Sequence, residues 1–328
     1  MDLATQLVKY FFVDSNNTKQ TQSIKTIDGF TKLRPEWDQE LDVLEVLRIC
    51  NQLQSLGYLF EGTSAHPHPI LGKSFYAPNF DQRRADYGEY KFSGNGFQRI
   101  LKDLGPIVLP VVVQTEDEID DIGTCFFLGN CNTIVTARHV VENKKRVQVI
   151  GSQGKAIPIE KIRVHNDPSL DIALMLTSQE SDNGKYFRSS EVGILDEIMC
   201  LGYPPIPGFQ STLIADISSV NSEIKASKGK VVASEKSYLD AQKYFLINAR
   251  VKGGNSGGPI INASGYMVGV LVQTSMSATD AESLDSLGYG VATPYSEWKE
   301  LMGEMYKGVS KTLPISQLAE NVFCTNEQ

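Results

Sequence analysis

Two hydrophobic rhythms divide the chain near residue 105. Before that point apolar side chains recur at three- and four-residue steps. Val43, Val46, Cys50 and Leu53 predict an amphipathic helix over residues 41–57, with Gly57 as its stop. Tyr58-Leu59-Phe60 and Tyr90-Lys91-Phe92 read as short strands, and Ser93 is placed to cap a helix carrying Phe97, Ile100, Leu101 and Leu104 on one face. After residue 105 the pattern changes to short apolar runs punctuated by Gly, Pro, Asn and Asp. Six of them occupy 107–113, 123–128, 133–137, 146–150, 159–164 and 171–176. A polar linker, 177–190, leads to seven more at 197–201, 211–220, 230–234, 244–248, 259–262, 267–274 and 288–293. Strands this short, bounded by turns, predict an all-β barrel or sandwich. Residues 295–305 then read as a terminal helix.

Composition narrows the classes. At 328 residues, 41% hydrophobic and 21% charged, the chain is an ordinary globular sequence with room for two domains. Its longest apolar run, Ile107 to Val113, contains a proline and falls far short of the ~18 residues that span a bilayer, so no membrane association is expected. The stretch from Met1 to Val13 carries Asp2 and Lys9 and lacks the apolar core of a leader. Five scattered cysteines without a Cys-x-x-Cys pair fit reduced thiols and a cytoplasmic setting. A net charge of −8 argues against non-specific nucleic-acid affinity.

The chemistry concentrates in Val251-Lys-Gly-Gly-Asn-Ser256-Gly-Gly-Pro-Ile260. Four glycines around one serine suit a tight turn with exposed amides, and the N–H groups of Gly254 and Ser256 can face one side. A serine hydroxyl needs a base to become a nucleophile. His139 ends a strand-like run in Thr-Ala-Arg-His139, and Asp171 opens the run Asp171-Ile-Ala-Leu. Each residue alone is more often structural, and His165 is a rival base set just before a turn. His66-Pro-His68-Pro offers two imidazoles with no third ligand nearby, so no metal is expected. The acidic run 116–121 reads as a solvated hairpin loop, and Arg83-Arg84 as a solvated pair.

These segments, in the order His139, Asp171, Ser256, resemble the trypsin-like (chymotrypsin-fold) serine peptidases, closest to the HtrA-like, bacterial-type branch. The likeness covers about residues 106–303. It implies an all-β double six-stranded barrel: a protease domain at 106–306, with barrels at about 106–178 and 190–294 and a helix at 295–305. The remaining tail, 307–328, is too short for the PDZ domain of true HtrA proteins. The resemblance makes Ser256 the nucleophile, His139 the general base, Asp171 its orienting acid, and the amides of Gly254 and Ser256 the oxyanion hole. It puts the substrate pocket at Arg250, Leu271, Val272, Gln273 and Thr274. No acid stands at the pocket base, so cleavage after Lys or Arg is not expected. It implies no cofactor. Asn255 replaces the aspartate that, in pancreatic-type trypsins, pairs with a newly cut amino terminus, so activation through a partner, ligand or assembly is expected instead.

Residues 1–105 carry no protease motif. Their order of helix, strand, loop, strand and helix resembles a winged-helix layout. They hold 12 Lys plus Arg against 13 Asp plus Glu, and the candidate reading helix offers only Arg48, so nucleic-acid binding is not expected. A recruitment or sensing module that docks a regulatory protein or oligomerises is the expectation. By analogy, the chain is an intracellular effector endopeptidase of a bacterial antiviral defence or stress system, acting on protein or peptide substrates. Two alternatives stand beside it: a catalytically latent binding protein with a protease fold, and a winged-helix DNA-binding regulator with an attached peptidase.

Overall fold

The computed structural model describes residues 1–13, 25–34, 41–151, 154–181, 184–205, 213–214, 219–220, 223–238, 240–272, 288–303 and 309–325. The chain divides into two units, one of Met1–Ile100 with Ala263–Gly265, the other of Leu101–Asn262 with Tyr266–Gln328.

The N-terminal elements are α1 (Leu3–Phe11), α2 (Ile27–Thr31), α3 (Leu41–Ser55), β1 (Phe60–Gly62), β2 (Ser74–Tyr76), α4 (Gln82–Tyr87), α5 (Glu89–Asn95) and α6 (Phe97–Leu104). The first unit's core gathers Leu7, Phe11, Ile27, Val46, Leu53 and Tyr90, all at most 1% exposed. Asp2 caps α1 through Thr5, and Asp81 caps α4 through the amides of Arg83 and Arg84. β1 and β2 form a two-stranded antiparallel pair. The strand expected at Tyr90–Phe92 is instead helix α5. Gly94 explains the difference: a Cβ there would stand 2.7 Å from Ala4 Cβ and 3.0 Å from Ile49 Cγ2, so α5 lies close on α1 and α3. Ser93 is therefore inside a helix rather than capping one. A winged helix is not established by this arrangement.

The second unit is built of strands: β3 (Val108–Gln114), β4 (Asp120–Phe127), β5 (Thr133–Thr136), the short helix α7 (Arg138–Val141), β6 (Arg146–Ile150), β7 (Ala156–Ile157), β8 (Lys161–His165) and β9 (Ala173–Leu176). They continue with β10 (Glu197–Gly202), β11 (Leu213–Ile214), β12 (Ser219–Val220), β13 (Lys225–Lys236), β14 (Lys243–Ile247), β15 (Pro259–Asn262), β16 (Met267–Leu271) and β17 (Gly290–Pro294). The last three are β18 (Ser310–Leu313), β19 (Ser316–Ala319) and β20 (Val322–Cys324).

The second barrel is closed by six antiparallel strands in the order β10-β13-β14-β17-β16-β15, around Ile198, Val231, Ile247, Ile260 and Ala292. The first set is a ten-stranded sheet, β18-β8-β9-β5-β4-β3-β6-β20-β19 with β7 on β6. Pro110 is tolerated in β3 because pairing with β6 begins one residue later, at Val111↔Val149. This is a mainly β architecture, with one sheet closed into a barrel and one left open, and two departures from expectation. The six strands assigned to the first barrel are extended by β18–β20, so residues 309–325 of the expected tail belong to the sheet: Leu313, Val322, Phe323 and Cys324 are buried in it. Where a helix is expected at 295–305, residues 295–302 form two 3₁₀ turns, Tyr295–Glu297 and Lys299–Met302, and 304–305 lie outside the described residues. Trp298 and Leu301, each 1% exposed, fall at the three-residue step of that tighter helix.

Candidate active site

His139 sits in α7, directly after β5, and Asp171 sits two residues before β9. Since β5 and β9 pair along Thr133↔Leu176 to Thr136↔Ala173, the ladder brings these two segments together at one end. Asp171 Oδ2 stands 2.6 Å from His139 Nδ1, and Asp171 Oδ1 accepts the backbone N–H of His139 at 2.8 Å. An ionised carboxylate only accepts, so the ring donates from Nδ1, and the lone pair is on Nε2, away from the acid. The histidine side chain is 36% exposed and the aspartate 16%. One residue thus uses both oxygens of the acid, which fixes ring and backbone together.

Arg138, beside it, is 5% exposed and forks onto Glu142 at 2.7 and 2.6 Å, with Nη1 donating to the carbonyl of His165 at 3.3 Å. His165, the rival base, accepts the amide of Asp167 on Nδ1 at 3.0 Å and closes its own turn. Within that turn Asp167 Oδ1 accepts from the hydroxyl and amide of Ser169, at 2.6 and 2.9 Å. These bonds hold its carboxyl below the ordinary 3.8. From the second barrel, Gln242 Nε2 donates to Asp167 Oδ2 and Ser169 Oγ, at 3.0 and 2.8 Å. The loop leading to Asp171 is therefore tied from both strand sets.

The serine turn lies between β14 and β15. Asn255 N–H donates to Lys252 C=O at 3.0 Å, Gly258 N–H to Asn255 C=O at 2.9 Å, and Gly257 N–H to Leu271 C=O at 2.7 Å. Gly254 and Gly257 take φ of +88° and +84°, a region that disfavours a side chain. A Cβ on Gly254 would stand 2.5 Å from Tyr203 O, and one on Gly257 would stand 2.2 Å from Thr124 O and 2.8 Å from Ala137 N. The residue after Ser256 is thus packed against the strand end that leads into His139.

Thr124, which the sequence reading passed over, rivets this turn. Its hydroxyl donates to Gly254 C=O at 2.6 Å and accepts from Tyr203 N–H at 3.0 Å. Its amide donates to Ser256 C=O at 2.9 Å, and its carbonyl accepts the Thr136 hydroxyl at 2.8 Å. Both threonines are fully buried. The one available signal was a hydroxyl inside the apolar run of β4, following Gly123.

Of the expected pocket residues, Leu271 belongs to the second barrel's core and Val272 is 9% exposed, its N–H on Val291 C=O at 3.3 Å. Arg250 is exposed, and Gln273 and Thr274 lie outside the described residues. In the first unit, His66 Nδ1 accepts from His68 N–H, and His68 Nδ1 from the amides of Ile70 and Leu71, which occupies the lone pairs a metal would need. Among the described residues no three His, Cys, Asp or Glu are grouped to hold a metal ion.

Residues 123–270 match the family model of the trypsin-like peptidase domain. Serine protease HTRA4 of Homo sapiens is 27% identical over 187 residues, 56% of this chain and 35% of that protein. A probable periplasmic serine endoprotease, DegP-like, of Chlamydia pneumoniae is 28% identical over 173 residues, 52% of this chain and 32% of its own. The chain spans about a third of the length of these curated relatives. The Rv3671c protease of M. tuberculosis, in its active form, aligns at 20% identity with a TM-score of 0.48, over 65% of this chain and 85% of that one. The topology described above, rather than that likeness, carries the fold. Residues 123–270 are thus similar to a trypsin-like peptidase domain, and the relatives this chain aligns with are named as HtrA-type serine proteases.

Proposed function

We propose that the chain is a serine endopeptidase with Ser256 as nucleophile, His139 as general base and Asp171 as the acid that orients it. The observation that supports this is the double contact of Asp171 with His139, at 2.6 and 2.8 Å, which turns Nε2 away from the acid. In this reading Nε2 takes the Ser256 Oγ proton as the oxygen attacks the scissile carbonyl, then passes it to the leaving amine. Asp171 stabilises the imidazolium between the two steps. The Gly254 and Ser256 amides hold the oxyanion, each worth about 10²–10³ in kcat. A fluorophosphonate probe is expected to label the wild-type protein and not Ser256→Ala. Equal labelling of both, or of neither, would remove Ser256 from the mechanism.

Proteins or peptides are the substrates in this proposal, and residues 1–105 recruit or sense a partner. Asn255, 8% exposed, carries no charge for a new amino terminus to meet, which supports activation without propeptide removal. Cys50, Cys125 and Cys200 are buried free thiols, which fits a reducing, cytoplasmic setting.

A further inference from the structure

Residues 309–325 touch both segments that carry the acid and the base. At one end, Asn166 N–H donates to Val309 C=O at 2.9 Å, and β18 pairs with β8 from Ser310↔His165 to Leu313↔Ile162. Arg163 adds a bond to Ser310 Oγ at 3.2 Å. β8 runs into the loop of Asp171, and the carbonyl of its last residue, His165, holds Arg138 at the start of α7. At the other end, Thr325, 2% exposed, reaches the end of α7. Its hydroxyl donates to Val141 C=O at 2.6 Å and accepts Lys144 N–H at 3.0 Å, while its own N–H donates to Lys144 C=O at 3.1 Å.

The last carbonyls of a helix have no partner inside it, and a four-residue helix cannot hold itself in water. α7 must therefore be held from outside. Its N-terminal residue is held through β8, itself paired to β18, and its C-terminal residue by Thr325.

We propose that Thr325 is a positioning residue for the general base, and that segment 309–325 works as a strap fixing His139 against Asp171. The proposal rests on the peptidase reading given above. Thr325 touches no reacting atom; it sets where the His139 ring stands. A displaced base raises the barrier to proton transfer and leaves the substrate's binding surface intact. Losses from misplacement of this kind reach about 10²-fold.

The test compares wild type, Thr325→Val and Thr325→Ser for fluorophosphonate labelling rate and for kcat and KM on a peptide substrate, each well below its own melting midpoint. Valine keeps the shape and removes both side-chain hydrogen bonds; serine keeps the hydroxyl. The expected result is a fall of about tenfold or more in kcat and labelling rate for valine, with KM unchanged, and recovery with serine. A valine variant within twofold of wild type in both rates would overturn the strap, as would a loss that appears in KM alone or that serine does not restore. A wild-type protein that the probe does not label would instead overturn the peptidase reading on which the strap depends.

Discussion

Thr124 joins the serine turn to the chain at Tyr203 through its hydroxyl. Replacing it with valine strands the carbonyl of Gly254 in a buried position and the amide of Tyr203 in a part-buried one, at about 1–3 kcal/mol for a fully buried group. Thr124→Val is expected to lose about 2–4 kcal/mol in urea unfolding. In the peptidase reading it also loses about 10²-fold or more in kcat, because Gly254 would supply the oxyanion amide. Thr124→Ser should recover both. The motifs around His139, Asp171 and Ser256 were legible because nucleophilic chemistry demands particular residue types in a particular order. Thr124 was not, because a hydroxyl that bonds only to backbone leaves no spacing signature. The thiols make a second prediction at this scale. Burial pushes Cys50 and Cys200 from 9.0 up to about 12, and it raises Cys125 as well. In the unfolded chain they ionise from about pH 9.0, while in the folded chain they stay neutral to about pH 12. Their contribution to stability is thus complete below that window and falls as pH rises through it. Urea midpoints measured across the window should decline, and less steeply in a variant with all three cysteines replaced by alanine. In the native protein, iodoacetamide should reach half-buried Cys131 first.

Among the elements, the loop from Asp167 to Asp171 has its own pH limit. The carboxyl of Asp167 is held below 3.8, chiefly by the Ser169 hydroxyl. Its stabilising effect is complete above 3.8 and fades as pH falls through the lower folded value. Exposure screens the effect, so the readout is local. Amide exchange at residues 167–171 should quicken below about pH 3.8 while β4 and β5 stay protected, and Ser169→Ala should move that onset to higher pH. Most strands of the second unit could be read from their apolar runs. Segments with few apolar residues could not. β18 and β19 show mostly exposed side chains, so their pairing comes from backbone bonds that composition does not advertise. Helix α5 was mistaken for a strand because three residues fit either period, and only the close approach at Gly94 decides between them.

At the scale of the molecule, the separate cores of the two units predict separate melting events. Trp298, 1% exposed, reports on the second unit. With Trp37 replaced by phenylalanine, tryptophan emission should follow that unit alone, while far-ultraviolet dichroism also follows the helices of residues 1–100. Coincident transitions by both probes would show instead that the chain unfolds as one cooperative block. The hydrophobic period changes near residue 105, and the first unit of the fold runs to Ile100 and takes in Ala263–Gly265.

The second barrel closes on itself, whereas the ten-stranded sheet has ends. Among the described residues β19 pairs on one side only, with β20, and Ser316–Ala319 are all exposed, Leu318 at 51%. Peptide groups lined up at such a rim invite any extended chain to add another strand, and an apolar side chain there strengthens the invitation. Concentrated solutions should therefore clump through this rim, and Leu318→Lys, which sets a positive charge along it, should raise the concentration at which light scattering first appears.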